Sequence, residues 1–350
     1  MKILLHVGMG KCGSSALQSY LSSLDFERAT DGRCLYVALY NDGQLKWGEE
    51  LIGDAATSVY GYRSSQTRSL KSAFDGEQRN SMRDKLLELG EKYDNLVFSN
   101  EGWGEIPGKI AEDCLFADEA FHVSVMLYIR PQIEWLNSAW WQWGAWTKAP
   151  MQKWVNRKLA SASWLTLLQQ WAAKPWVKKV DVRLVDGDVV SDFLDYLGYK
   201  IPPQPRSNKG LPGSVLRIFQ RNRQLRPGPH DSAIEFALSR HLQLEDASTP
   251  WILFPWQIKK FIEYYRQENE QLVHYLPVNQ RQKMLEDARW WSAETYSDRK
   301  HSSPLPNRLN IDELEQLAVA ALVAVARLDT EILRLKQKQI PGKRHDGSGC

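Results

Sequence analysis

The 350 residues carry 45 Lys and Arg against 42 Asp and Glu, a net charge of +3, too small to mark a nucleic-acid-binding chain. Hydrophobic residues make up 43% and charged residues 25%, the balance of a globular protein able to bury a sizeable core. Cys12, Cys34, Cys114 and Cys350 stand without metal-ligand spacing or a disulfide framework, which points to a reducing, cytoplasmic setting.

The chain opens on an apolar strand at 3–7, a glycine-rich turn at 8–13, and a helix predicted from the spacing of Ala16, Leu17, Tyr20, Leu21 and Leu24, with Ser14 or Ser15 as its N-cap. The initial apolar run is too short for a signal peptide. A strand, a glycine turn and a helix N-terminus converge backbone N–H groups and the positive end of the helix dipole on one point, so the ligand expected there is a phosphate or sulfate. Lys11 adds a full charge. In a nucleoside-triphosphate P-loop the lysine directly follows the last glycine. Here Ser14 holds that position, and Lys11 lies two residues before Gly13.

A short extended segment follows at 34–39. Residues 41–76 read as loop with short helical pieces, a lid or substrate wall. An amphipathic helix at 77–91 leads to a second strand at 95–99, whose exit is Asn100, Glu101, Gly102 and Trp103. The run 121–129 is nearly continuously apolar, as a strand buried on both faces should be. Arg130 and Pro131 end it, and a helix bearing Trp135, Ser138, Ala139 and Trp140 comes next. A helix at 161–173, a strand at 180–185 and a helix stopping at Gly198 complete the alternation. This order predicts an α/β fold, a parallel sheet flanked by helices, over residues 1–200. After a proline-rich break, a mostly helical part at 201–340 is expected to complete the same domain, with helices from Ser214 and at 232–241, 257–275 and 311–337. Residues 341–350 read as a disordered tail. The longest late apolar run, 317–326, is about half of the ~20 residues a membrane span needs, so no span is expected.

The strand 121–129 delivers Arg130 to its carboxyl end, where open α/β sheets bind ligands. Ser138 stands eight residues on, so its hydroxyl and the guanidinium can approach one phosphate; alternatively Arg130 forms a salt bridge and Ser138 permits close helix packing. The order Lys11, Cys12, Gly13, Ser14, Ser15 resembles the Lys-x-Gly-[Ser/Thr]-[Ser/Thr] loop of the sulfotransferases, and Tyr128 to Ser138 resembles their 3′-phosphate motif. Asn208, Lys209 and Gly210 before a helix, and Glu268, Asn269 and Trp290 further on, resemble later parts of bacterial members. The P-loop-like sulfotransferase resemblance runs from residue 2 to 292. It departs at Gly10, where many members carry proline, and at Ala16, where an aromatic residue often stands.

The resemblance implies 3′-phosphoadenosine 5′-phosphosulfate (PAPS) as co-substrate, no metal, and in-line transfer of a sulfuryl group to a hydroxyl or amine. Lys11 would meet charge on the leaving group, with Gly10, Cys12, Gly13, Ser14 and Ser15 around the 5′-phosphate. Arg130 and Ser138 would take the 3′-phosphate, and Asn208 and Lys209 would also contact the donor. The base would be Glu101, with Asp42, Glu49 and Glu50 as weaker candidates. A small molecule or glycan is the expected acceptor, a carbohydrate or glycolipid first. A P-loop-type kinase of a small metabolite and a non-catalytic nucleotide-binding module remain as alternatives. His6 and His122 read as core histidines. The cluster Trp140, Trp141, Trp143, Trp146 and Trp154 reads either as core or as a stacking surface for the acceptor. The leucines and alanines of helix 311–337 suit packing on the body or, as a homodimer, on a second copy.

Overall fold

The computed structural model describes residues 1–70, 74–202, 211–242, 249–302 and 311–339. Packing divides them into two compact units, one within Met1–Asn208, Pro227–Asp231 and Trp251–Pro304, the other within Lys209–Arg226, Ser232–Pro250 and Leu305–Cys350.

The first unit is built on a six-stranded sheet in the order β3-β2-β4-β1-β5-β6. The strands are β1 (Lys2–Gly8), β2 (Cys34–Leu39), β3 (Leu45–Trp47), β4 (Asn95–Ser99), β5 (His122–Ile129) and β6 (Val177–Leu184). All neighbours run parallel except the β2–β3 pair. β1 lies at the centre because both its faces are apolar: every residue from Ile3 to Gly8 is buried, as helix-covered parallel strands require. β6 is an edge strand, and its first half carries exposed Lys178 and Lys179, which disfavour pairing with another chain. β3 is a three-residue strand too short to register as a period in the sequence. A turn with Gly43 at φ +84° folds it back onto β2.

The helices α1 (Ser14–Leu21), α2 (Leu24–Ala29), α3 (Gly48–Ala56), α4 (Gly76–Lys92), α5 (Gln132–Gln142), α6 (Met151–Lys158), α7 (Trp164–Ala172) and α8 (Val189–Tyr196) connect the strands or follow the last of them. Three expectations are corrected. The N-cap of α1 is Gly13, in the left-handed region at φ +89°, and not Ser14 or Ser15. The buried face of α1 is Ser14, Leu17, Gln18 and Leu21, because the helix stops at Leu21 and Leu24 starts a separate one. His122 is exposed as the first residue of β5, since a strand's entry lies at the sheet margin. His6 is fully buried.

After Trp251 the chain returns to the first unit as α11 (Pro255–Leu272) and α12 (Val278–Glu286). Gln132 of α5 and Asn269 of α11 exchange amide hydrogen bonds, Nε2 to Oδ1 at 2.6 Å and Nδ2 to Oε1 at 3.3 Å. Glu268 accepts from Ser163 Oγ at 2.6 Å and from the Leu165 N–H at 2.7 Å, closing the amino end of α7. The second unit holds α9 (Gly213–Arg221), α10 (Ala233–His241) and α13 (Ile311–Gln339). Within it, Arg217 pairs with Glu313 at 2.7 Å and buried Arg226 pairs with Glu235. Asn208, Lys209 and the tail 341–350 lie outside the described residues. Among the described residues no helix is long and apolar enough to cross a membrane.

Glu268 joins α11 to α7, and its loss leaves the amide of Leu165 without its acceptor. Glu268→Ala should cost about 1–3 kcal/mol, read as a lower urea midpoint with an unchanged denaturant slope.

Candidate functional site

Three adjacent strands, β4, β1 and β5, end at one edge of the sheet, and each delivers one predicted site residue there. The loop after β1 turns through Gly8 at φ +115°, Lys11 at φ +65° and Gly13 at φ +89°. A side chain at Gly8 would place its Cβ 2.6 Å from the Glu101 carbonyl, and one at Gly13 would meet Val189 of α8 at 2.7 Å. Glycine is therefore required at both positions by space as well as by backbone conformation. Lys11 is not glycine, yet it adopts the left-handed region, which side chains other than Asn and Asp rarely enter. The surroundings hold it there. Met9 N–H donates to Tyr128 O of β5 at 3.1 Å, Cys12 N–H to Met9 O at 3.1 Å, and the Trp135 indole N–H to Gly10 O at 2.8 Å.

The side chains of this edge meet around Gly10 and Cys12. A Cβ on Gly10 would stand 3.1 Å from the Trp143 ring and 3.6 Å from the Glu101 carboxyl carbon. Glu101 is half-buried at the exit of β4, where Asn100 Oδ1 accepts from the Gly102 N–H at 2.7 Å and from Thr67 Oγ1 at 3.3 Å. Burial pushes the Glu101 carboxyl up from its ordinary value; the Lys11 charge opposes that rise and Glu105 adds to it. The Cys12 thiol is buried and pushed up to about 12, chiefly by desolvation, while Arg130, Glu101 and Lys11 all act on it. Cys12 itself stays protonated and is no nucleophile.

Lys11 Nζ donates to Gln142 Oε1 at the end of α5, at 3.2 Å. Arg130 is half-buried; its Nη1 lies 3.4 Å from Lys11 O, and its Nη2 is 2.7 Å from Glu134 Oε2. The other Glu134 oxygen lies 3.4 Å from Arg289, which also pairs with Asp287 at 2.7 Å. Ser138 is half-buried two turns along α5. The Ser14 hydroxyl points inward and donates to Met9 O at 3.1 Å, so it braces the loop. The Ser15 hydroxyl sits 3.4 Å from that of Tyr62. Gly13, Ser14 and Ser15 begin α1, where the first N–H groups of a helix have no intrahelical acceptor. Asp42 accepts from Gln44 N–H in the exposed turn before β3. Glu49 and Glu50 lie in the first turn of α3 behind that edge strand, Glu50 paired with Lys46 at 2.9 Å. None of these three is brought to the loop.

Four site residues had escaped sequence reasoning. Glu134 stands four residues after Arg130, a spacing that pairs opposite charges on a helix, and was detectable. Arg289 is 155 residues from Glu134 and was not. Tyr62 is half-buried; burial pushes its phenol up to about 12, Ser15 draws it down and Glu101 pushes it up. Its segment is laced to the strand ends, Ser65 N–H to Ser99 O at 3.0 Å and Gln66 N–H to Leu39 O at 2.8 Å. Trp164 is the fourth, its indole N–H donating to Arg130 O at 2.9 Å. Of the tryptophan cluster, Trp140, Trp141, Trp146 and Trp154 are buried core, and Trp143 alone borders the loop through Gly10.

Beneath the loop, Gln18 Nε2 donates to Ser99 Oγ at 3.0 Å, and Ser99 Oγ lies 2.7 Å from His6 Nδ1. Burial lowers the His6 pKa to about 3, so the ring is neutral and structural. A cleft of about 680 Å³ opens at the opposite, amino-terminal edge of the sheet, lined by Lys2, Arg33, Tyr93, Asp94 and Tyr199 among others. None of the predicted site residues lines it. Among the described residues no group of three or more His, Cys, Asp or Glu side chains is placed to hold a metal.

Fold and site define the class: an α/β protein with a glycine loop and helix N-terminus at the carboxyl edge of its sheet, flanked by a lysine, an arginine and a carboxylate. No family model matches the chain, and no curated protein matches it. Among solved structures, a sulfotransferase from Alicyclobacillus acidocaldarius is 12% identical, covering 80% of this chain and 98% of that one, with a TM-score of 0.37. At that score the likeness decides nothing about this chain, and the residues carry the reading.

Glu101 supplies a pH test. Its folded-state pKa lies above the ordinary 4.5, so between 4.5 and that raised value the folded chain holds more of this proton than the unfolded chain does, and above it both have released it. Its contribution to stability is therefore largest at low pH and is lost as pH rises from 4.5 through the raised value. Glu101→Gln should melt above the wild type at about pH 7.5, with the difference vanishing below about pH 4. Thermal denaturation across that range checks it.

Proposed function

We propose that the chain is a PAPS-dependent sulfotransferase acting on a hydroxyl, or an amine, of a small-molecule or glycan acceptor, a carbohydrate or glycolipid first. The observation that carries this reading is that Glu101, at the exit of β4, and Arg130, at the end of β5, both border the loop after β1 that carries Lys11. The local order Lys11, Cys12, Gly13, Ser14, Ser15 and the Arg130–Ser138 spacing support it independently.

In this reading the first-turn N–H groups of α1, with the Ser15 hydroxyl, cradle the 5′-phosphate, and Ser14 contributes its backbone while its side chain braces the loop. Glu101 takes the acceptor's proton. The acceptor oxygen forms a bond to sulfur as the bond from sulfur to the 5′-phosphate oxygen breaks, and Lys11 meets the charge appearing on that leaving oxygen. The product is adenosine 3′,5′-bisphosphate. Arg130 and Ser138 hold the 3′-phosphate, which separates PAPS from ATP. Glu134 presets the Arg130 fork, while Arg289, itself paired with Asp287, borders the other Glu134 oxygen. Positioning and preorganised charge supply the rate, as in other transfers with a loose transition state.

Two experiments test the two halves of the site. Adenosine 3′,5′-bisphosphate should raise the melting temperature, and adenosine 5′-phosphate should give little of that gain. Arg130→Ala should erase the difference, a loss on the order of 2–5 kcal/mol in binding. Equal stabilisation by both ligands overturns the donor assignment, and tighter binding of ATP points to a kinase instead.

For the base, Glu101→Gln keeps shape and most hydrogen bonding but removes proton acceptance. Turnover with PAPS and a responsive acceptor from a panel of sugars, lipids and phenols should fall roughly 10²–10⁴-fold, with calorimetric affinity for adenosine 3′,5′-bisphosphate unchanged. A fall of less than about tenfold removes Glu101 from that role.

A further inference from the structure

α13 carries two apolar stripes. Glu313, Leu317, Ala320, Ala324 and Leu328 form its more covered side, anchored within the second unit by the ion pair of Glu313 with Arg217. Their spacing of three and four residues is that of one helix face. A second stripe runs beside it. Ile311, Leu314, Ala318, Ala321 and Val325 alternate spacings of three and four, and the same alternation continues through Leu328, Ile332 and Leu335. All eight positions are apolar, which is the a/d seam of a coiled coil. Apart from Leu328, which it shares with the covered side, the seam is open to solvent: Ile311 is 81% exposed, Val325 63%, Leu335 53% and Ile332 48%. From end to end it measures roughly 36 Å at the helical rise, an apolar strip of the kind that marks an interaction surface.

We propose that this seam packs against the same seam of a second copy of the chain, antiparallel, about a two-fold axis beside Val323. Side-chain size and charge both select this partner and this direction. Antiparallel pairing about that centre sets Ile311 against the partner's Leu335 and Leu314 against the partner's Ile332. It also sets Ala318 against the partner's Leu328 and Ala321 against the partner's Val325. Each alanine then meets a larger branched residue, and no layer pairs two alanines. Parallel pairing would stack alanine on alanine in two successive layers and leave voids, which well-packed interfaces avoid. The charges agree. The first turns of α13 carry Asp312, Glu313 and Glu315 with no basic residue, and the sequence from Arg327 on is net basic, Arg327, Arg334, Lys336 and Lys338 against Asp329 and Glu331. An antiparallel pair lays acidic ends over basic ends and opposes the helix dipoles, whereas a parallel pair stacks like on like. A surface complementary to itself under a half-turn is the condition for a closed dimer.

Sedimentation velocity of the full chain at micromolar concentration should show a species of twice the chain mass. Val325→Glu and Ile332→Glu should each give the single-chain mass, with circular dichroism and melting temperature close to wild type because both positions are exposed. Direction is tested by cystine cross-linking in a Cys350→Ser background. A mixture of Leu314→Cys and Ile332→Cys chains should cross-link, and Leu314→Cys alone should not. A single-chain wild type overturns the proposal, as does a single chain that floats with anionic vesicles. Self-cross-linking of Leu314→Cys overturns the antiparallel arrangement.

Discussion

Two indole N–H groups hold the site together. Trp135 donates to Gly10 O at 2.8 Å and Trp164 to Arg130 O at 2.9 Å, and the two rings meet edge to face with centroids 5.4 Å apart. Both rings are buried, so both N–H groups need acceptors, and the backbone of the site supplies them. The glycine loop after β1 and the strand end of β5 are thereby tied to one aromatic wedge between α5 and α7. The left-handed turn at Lys11 persists because its neighbours are fixed on both sides. The wedge adds to the hydrogen bonds of Met9, Cys12 and Ser14 that shape the loop from within.

The same packing creates the electrostatics. A lysine, two arginines and three carboxylates share a partly dehydrated edge of the sheet, where charges act on one another more strongly than in water. Glu134 spans Arg130 and Arg289, and Arg289 has a second carboxylate in Asp287. Glu101 is the costly member, because burial disfavours its charged form. Its charged form, favoured by Lys11 but opposed by burial, detracts from stability. Such a conflict is expected at functional sites.

Stability comes from elsewhere. The Gln132–Asn269 amide pair and the Glu268 cap on α7 bind α11 to the helices that carry the wedge. The residues that resembled a distant C-terminal pattern, Glu268, Asn269 and Trp290, are thus structural in this chain: Asn269 also reaches Trp290 O at 3.5 Å. Their effect on the site is indirect, through the placement of α5 and α7.

The sequence by itself determined the central strands, the glycine loop and the position of Arg130, because those depend on short-range pattern. An apolar run buried on both faces, a glycine spacing and the last residue of a strand are all visible within ten residues. It also located Glu101, since a strand exit aims a side chain at the sheet edge. Only the tertiary structure decided the rest. Whether a tryptophan lines a core or braces a loop depends on what its N–H meets, and Trp135 and Trp164 meet carbonyls 125 and 34 residues away. Ser14 turned inward because Gly13 took the cap, a choice set by crowding from Val189 of α8. His122 is as apolar in its neighbours as His6, and only its place at the sheet margin exposes it. Local pattern specifies which element forms; contacts between distant elements specify what each polar group faces, and the chemistry resides in those contacts.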